Sequence, residues 1–159
     1  MSVSTADVTK IRTLVSGLRK LTLRDSNQIA LVGLMIGVLY ALQRTVELSF
    51  DDARMKLDPA IERTEIGRTL EVLENGRLPD SQWLAGFYLD SAIMRLSALN
   101  DRIDKYLRVN QDTAAKIRKV VNKIKHDVDA GITSGWNIKF SDVLKTSEDL
   151  CVLLEKAII

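Results

Sequence analysis

Apolar residues in the second half of the chain recur at helical intervals. Leu89, Ala92, Leu96, Leu99, Ile103 and Leu107 follow one another at steps of three and four, the period of a helix that buries one face. Pro79-Asp80-Ser81 opens that helix, which is predicted to run to about Val109. A second stripe, Ala114, Ile117, Val121, Ile124 and Val128, predicts a helix capped by Asn110 or Asp112 and ending at Gly131. A third, Leu144, Ser147, Cys151, Leu154 and Ile158, predicts a closing helix capped by Ser141. Upstream, helices are expected from Thr5, as cap, to about Lys20, and opening after Ser26 to about Glu47. Ser49 suits a short turn, and Asp58-Pro59 starts a further helix that ends near Asn75, before Gly76. No run alternates over six or more residues, and Trp136–Phe140 reads as a short extended piece beside Gly135. The predicted fold class is all-α, a single-domain bundle of about five helices with short loops. It spans residues 1–159, with helices in 5–75 packing on the C-terminal part.

Ile29–Leu42 is apolar on every side, which predicts the central, most buried helix. Its 14 residues fall short of the roughly 20 that span a bilayer, so it reads as a core helix, with no membrane partner. Gly33 and Gly37 form a GxxxG spacing that lets two helices approach closely. The N-terminal stretch lacks an apolar core followed by a small-residue cleavage site, so the expected compartment is the cytoplasm.

Composition agrees with the periodicity, since 8 Gly, 2 Pro and few aromatics suit helices rather than strands. It also narrows the chemistry. One His and one Cys exclude an intrachain disulfide, and any site of four cysteines, three histidines or two of each within one chain. No metal and no cofactor is expected. Cys151 lies on the apolar stripe of the last helix and reads as packing.

The formal net charge is only +2, but it is unevenly spread. Lys105–His126 holds seven Lys/Arg against one acid, Asp112, whereas Glu47–Asp80 holds nine acids against five bases. A basic strip on a balanced domain suits phosphate, a solvated helix face or an acidic surface across a dimer. Tyr106 is the strip's one aromatic, which gives no platform for stacking bases.

At about 100° per residue, His126 falls almost opposite the Ala114–Val128 stripe, towards solvent. Asn122 is one turn before it and Arg118 two turns before it, with Lys119 and Lys123 beside them. One reading is an ordinary solvated face. The functional reading takes His126, Arg118 and Asn122 as catalytic candidates. His126 is then a general base and Arg118 stabilises developing negative charge, while Asn122 orients one or the other. Lys116, Lys119, Lys123 and Lys125 are the nucleic-acid-binding candidates. Cleavage of a phosphodiester by an RNA 2′-hydroxyl requires such a base and cation and no metal. A third reading, histidine phosphotransfer, meets the sequence KHDVDAG, which lacks the His-x-x-Lys-Gly run of such domains.

From Trp83 to Ile159 the chain resembles the HEPN superfamily of small helical domains. Three segments carry the resemblance: GFYLDSAIMRLSALNDRIDKYL with Arg95 and Asp101-Arg102-Ile103, the basic IRKVVNKIKHDV, and the closing FSDVLKTSEDLCVLLEKAI. The resemblance implies binding of RNA or a nucleotide, a homodimer, and metal-independent ribonuclease activity in a stress, defence or toxin–antitoxin setting. The family's catalytic pattern sets four to six residues between Arg and His. Here Arg118 and His126 have seven between them, and Lys119 and His126 have six. A non-catalytic helical interaction or scaffolding module is the alternative.

Overall fold

The computed structural model describes residues 5–48, 81–107, 111–134 and 138–158. These residues form an all-α bundle of five helices: α1 (Thr5–Arg19), α2 (Ser26–Leu48), α3 (Ser81–Leu107), α4 (Gln111–Thr133) and α5 (Phe140–Ile158). The helix expected over 59–75, the turn at Ser49, and Gly76, Asn110, Gly135 and Trp136 lie outside the described residues, as does the side chain of Leu107.

Each helix packs on two neighbours, in the ring α1–α2–α3–α4–α5 and back to α1. The interface of α2 with α3 is the largest, and α2 also touches α5 across the ring. All the residues of the α4 stripe are buried, as are Leu89, Ala92, Leu96, Leu99 and Ile103 of α3 and all five residues of the α5 stripe. The core is one continuous cluster drawn from all five helices. Lys10 of α1 and Glu148 of α5 add a surface ion pair of 3.0 Å where the ring closes, a contact worth well under about 1 kcal/mol.

Helix ends differ from the sequence reading in three places. Asp25, not Ser26, caps α2: its Oδ1 accepts from Gln28 N at 2.9 Å and its carbonyl accepts from Ile29 N at 3.1 Å. Gln28 reaches back so that its Oε1 accepts from Arg24 N at 2.7 Å, a near capping box. Helix α5 starts at Phe140 rather than after Ser141, with the Lys139 carbonyl accepting from Asp142 N and Val143 N. Gly131 does not end α4, which continues to Thr133.

Gly131 instead allows a close approach. A Cβ placed there would lie 2.3 Å from Ile138 Cγ1 and 3.0 Å from Ile138 Cα. Ile138 is buried and held two residues before the fully buried Phe140, so it has little room to retreat. Gly131→Ala is therefore expected to cost about 1–2 kcal/mol, because overpacking outweighs the roughly 1 kcal/mol gain in helix propensity. Gly33 meets nothing within 4 Å. There Ala gains the propensity alone, about 0.8–1 kcal/mol. Urea denaturation of the two variants should move the midpoint in opposite directions.

Helix α2 is the central helix that its composition predicts, packing on α1, α3 and α5. Ser26–Val46 is 21 residues long with mean hydropathy 1.8, enough by length and composition to cross a membrane, yet half of it is buried inside the bundle. Among its described residues Ser26, Ile29, Gly33 and Tyr40 are exposed, and the remainder of the unburied half is partly covered. The GxxxG does not bring two backbones together: Arg95 of α3 lies against Gly37, while Gly33 is open.

Cys151 is buried, as expected for packing. Burial, reinforced by Glu155 and Glu148, pushes its thiol up from 9.0 to about 12. Above pH 9 the unfolded chain sheds the proton that the folded chain retains, so this group's contribution makes stability fall between pH 9 and about 12 and leaves it unchanged below. In the folded protein at pH 8 the thiol should resist a disulfide reagent such as DTNB. Prompt labelling without denaturant would contradict this burial.

Candidate nucleic-acid interface

Helix α4 turns its apolar stripe against α3 and α5, which fixes what its far side exposes. Lys116, Lys119, Asn122, Lys123 and His126 are exposed, and Arg118 and Lys125 are half-buried. From Thr113 to His126 there is no carboxylate, and Asp127 and Asp129 follow only towards the helix end. The face therefore divides lengthwise into a cationic first part and an acidic last part.

The structure places the candidates on one helix, in a line. Arg118, Asn122 and His126 sit at successive intervals of four, about 6 Å of axial rise each. His126 and Arg118 are thus about 12 Å apart along the axis, two turns rather than one. Asn122 and Lys123 lie one turn before His126, and the exposed Asp129 lies one turn after it. Lys123 is tied to α5, its Nζ donating to Thr146 Oγ1 at 3.5 Å, the outer limit of a hydrogen bond. Thr146 Oγ1 donates in turn to the Asp142 carbonyl at 3.0 Å. Arg95 of α3, quoted in the family resemblance, donates to Ser91 Oγ and lies over Gly37 of α2, so it belongs to the helix packing and not to this face.

A cleft of about 220 Å³ opens next to Asp127, between the end of α4 and the start of α5. Asp127, Ser134, Lys139 and Asp142 supply its polar lining, with Gly131 on its wall. Sequence reasoning missed it, because it depends on Ile138 folding against a glycine in the last turn of α4. Two carboxylates to one ammonium make it unsuited to anions. Among the described residues no group of three or more His, Cys, Asp or Glu is placed to hold a metal ion. The chain matches no protein-family model, no curated protein and no solved structure.

Proposed function

We propose that this chain binds RNA through the outward face of α4, and that His126 makes that face a metal-independent ribonuclease of the stress or defence type. What supports the reading is the exposed, carboxylate-free run of Lys116, Lys119, Asn122, Lys123 and His126 on one side of one helix. Lysines in such a line contact successive phosphates and read no sequence. Cleavage follows a simple course. The His126 imidazole takes the proton of a 2′-hydroxyl, the freed oxygen attacks the adjacent phosphorus, and the 5′-oxygen leaves with a proton from water. Asn122 and Lys123, one turn away, meet the reacting phosphate, and Arg118 meets a neighbouring one. Side chains at i and i−4 share a surface, whereas those two turns apart do not.

Incubation of the purified chain with a labelled single-stranded RNA in EDTA tests both parts. Binding at low salt should weaken linearly in log–log form as salt rises, and cleavage should leave 2′,3′-cyclic phosphate ends. His126→Ala should abolish cleavage and keep binding within about twofold. Its unfolding free energy should change by less than about 0.5 kcal/mol, since the residue is exposed. Absence of RNA binding at low salt would refute the whole reading. Binding without cleavage would leave a phosphate-binding module and remove the ribonuclease.

A further inference from the structure

Past His126 the outward face of α4 turns from cationic to acidic, and that change limits how a strand can lie on it. Lys116, Lys119 and Lys123 are exposed on the N-terminal side of His126. Asp129 is exposed one turn beyond it. The half-buried Asp127 shares the cleft at the end of α4 with the exposed Asp142 of α5. Lys139, on the same cleft, offsets one of these three carboxylates. The charge order runs against what a helix alone favours. Cations stabilise the C-terminal end of a helix, yet the last turn of α4 holds no basic residue. The carbonyl end of the helix adds its own partial negative charge to that of the carboxylates.

A phosphate at His126 is therefore attracted from one side and repelled from the other. The next phosphate on the far side would have to pass over Asp129 and the cleft, where like charges repel. A terminal nucleoside brings no such phosphate.

We propose that this face takes the end of an RNA strand rather than its interior, with Asp127, Asp129 and Asp142 setting the preference. The inference rests on the RNA reading of α4 and names the kind of strand that α4 accepts. The inner phosphates lie along the lysines, the terminal linkage lies at His126, and the terminal nucleoside lies over the carboxylates. Reaction there forms the bond from the 2′-oxygen to phosphorus and breaks the bond from phosphorus to the 5′-oxygen. His126 takes the 2′-hydroxyl proton, and the leaving oxygen takes one from water. A strand with its 3′ end at His126 loses a free nucleoside, and one with its 5′ end there loses a nucleoside 2′,3′-cyclic phosphate.

A linear single-stranded RNA with hydroxyl groups at both ends, compared in EDTA with a circle of the same sequence, tests the proposal. The linear strand should bind about threefold to tenfold more tightly and be shortened from one end by single nucleosides. The circle should be cut at least about tenfold more slowly. Asp127→Asn, Asp129→Asn and Asp142→Asn together should remove most of the difference by improving binding and cutting of the circle. Each replacement keeps the shape of the side chain, so far-UV circular dichroism should be unchanged. Equal treatment of the two RNAs by the wild type would overturn this inference and leave the RNA reading standing. A preference for the linear strand that survives the triple replacement would also overturn it, because the carboxylates would not be its source. If RNA is bound but not cut, the ratio of the two affinities, with and without the three carboxylates, decides in the same way. If neither RNA binds at low salt, the RNA reading falls, and this inference falls with it.

Discussion

Phe140→Ala is expected to lower the unfolding free energy by about 3–5 kcal/mol, a large share of the roughly 5–15 kcal/mol that holds a domain of this size. Phe140 is fully buried and heads the set of largest fully buried side chains. It stands at the first residue of α5, one step beyond the Lys139 carbonyl that starts the helix. Removing the ring leaves a cavity that collapses poorly. The chain neighbours Ile138, Val143 and Leu144 are buried as well and leave little freedom to close it. Phe140→Leu keeps most of the volume and should cost about 1–1.5 kcal/mol. Urea denaturation followed by circular dichroism measures both. Equal losses for Ala and Leu would mean that filling the cavity is not what the residue does.

Phe140 also shows where the sequence was legible and where it was not. The stripes of α3, α4 and α5 were legible because each buried position repeats three or four residues later, and a ring of helices buries one side of each. Phe140 itself was read as extended chain. Yet the spacing 140, 144, 147, 151, 154, 158 continues the α5 stripe backwards by one turn, and following it would have placed the residue in the core. The cap at Ser141 obscured that signal, since a cap-forming residue one position inside a helix looks the same in sequence as one just before it. Gly131 misled for a similar reason. A glycine near a helix end reads as a terminator, whereas here it is a contact with Ile138, which lies seven residues on and outside the helix.

Helix α2 is central, as its composition implies, packing on α1, α3 and α5, but which of its residues stay exposed was not legible. An apolar residue in the sequence carries no mark of whether it meets the core or a separate surface. Ile29 and Met35 look equivalent in composition, but Met35 is fully buried and Ile29 more than half exposed. Only the arrangement of neighbouring helices separates them. The α4 face was legible in outline because burying the Ala114–Val128 stripe forces the remainder outward. The half-burial of Arg118 and Lys125 was not legible, because it depends on which long side chains lie down along the bundle.

Replacing Lys116, Lys119 and Lys123 together with Gln should weaken RNA binding by about 100- to 500-fold at about 0.1 M salt. Each lysine that neutralises a phosphate releases a condensed counterion, adding about 0.7 to the log–log salt slope for a single strand and about 0.9 for a duplex. At about 0.1 M salt each such contact is therefore worth somewhat under one decade of affinity, and three are worth about two to two and a half decades. The slope itself should become shallower by about 2–3. The three positions are exposed and spaced at three and four residues along α4, roughly 10 Å in all, so one ligand strand can meet all of them. Stability should be nearly unchanged, since all three are exposed and Lys123 approaches Thr146 Oγ1 only at 3.5 Å. Lys10→Gln provides the control. Lys10 is also a surface lysine, but it is paired with Glu148 at 3.0 Å on the seam between α1 and α5 and lies off the α4 face. A charge effect spread over the whole surface would lower affinity per lysine equally in both variants. An interface on α4 would make the triple variant lose its salt dependence while Lys10→Gln keeps it.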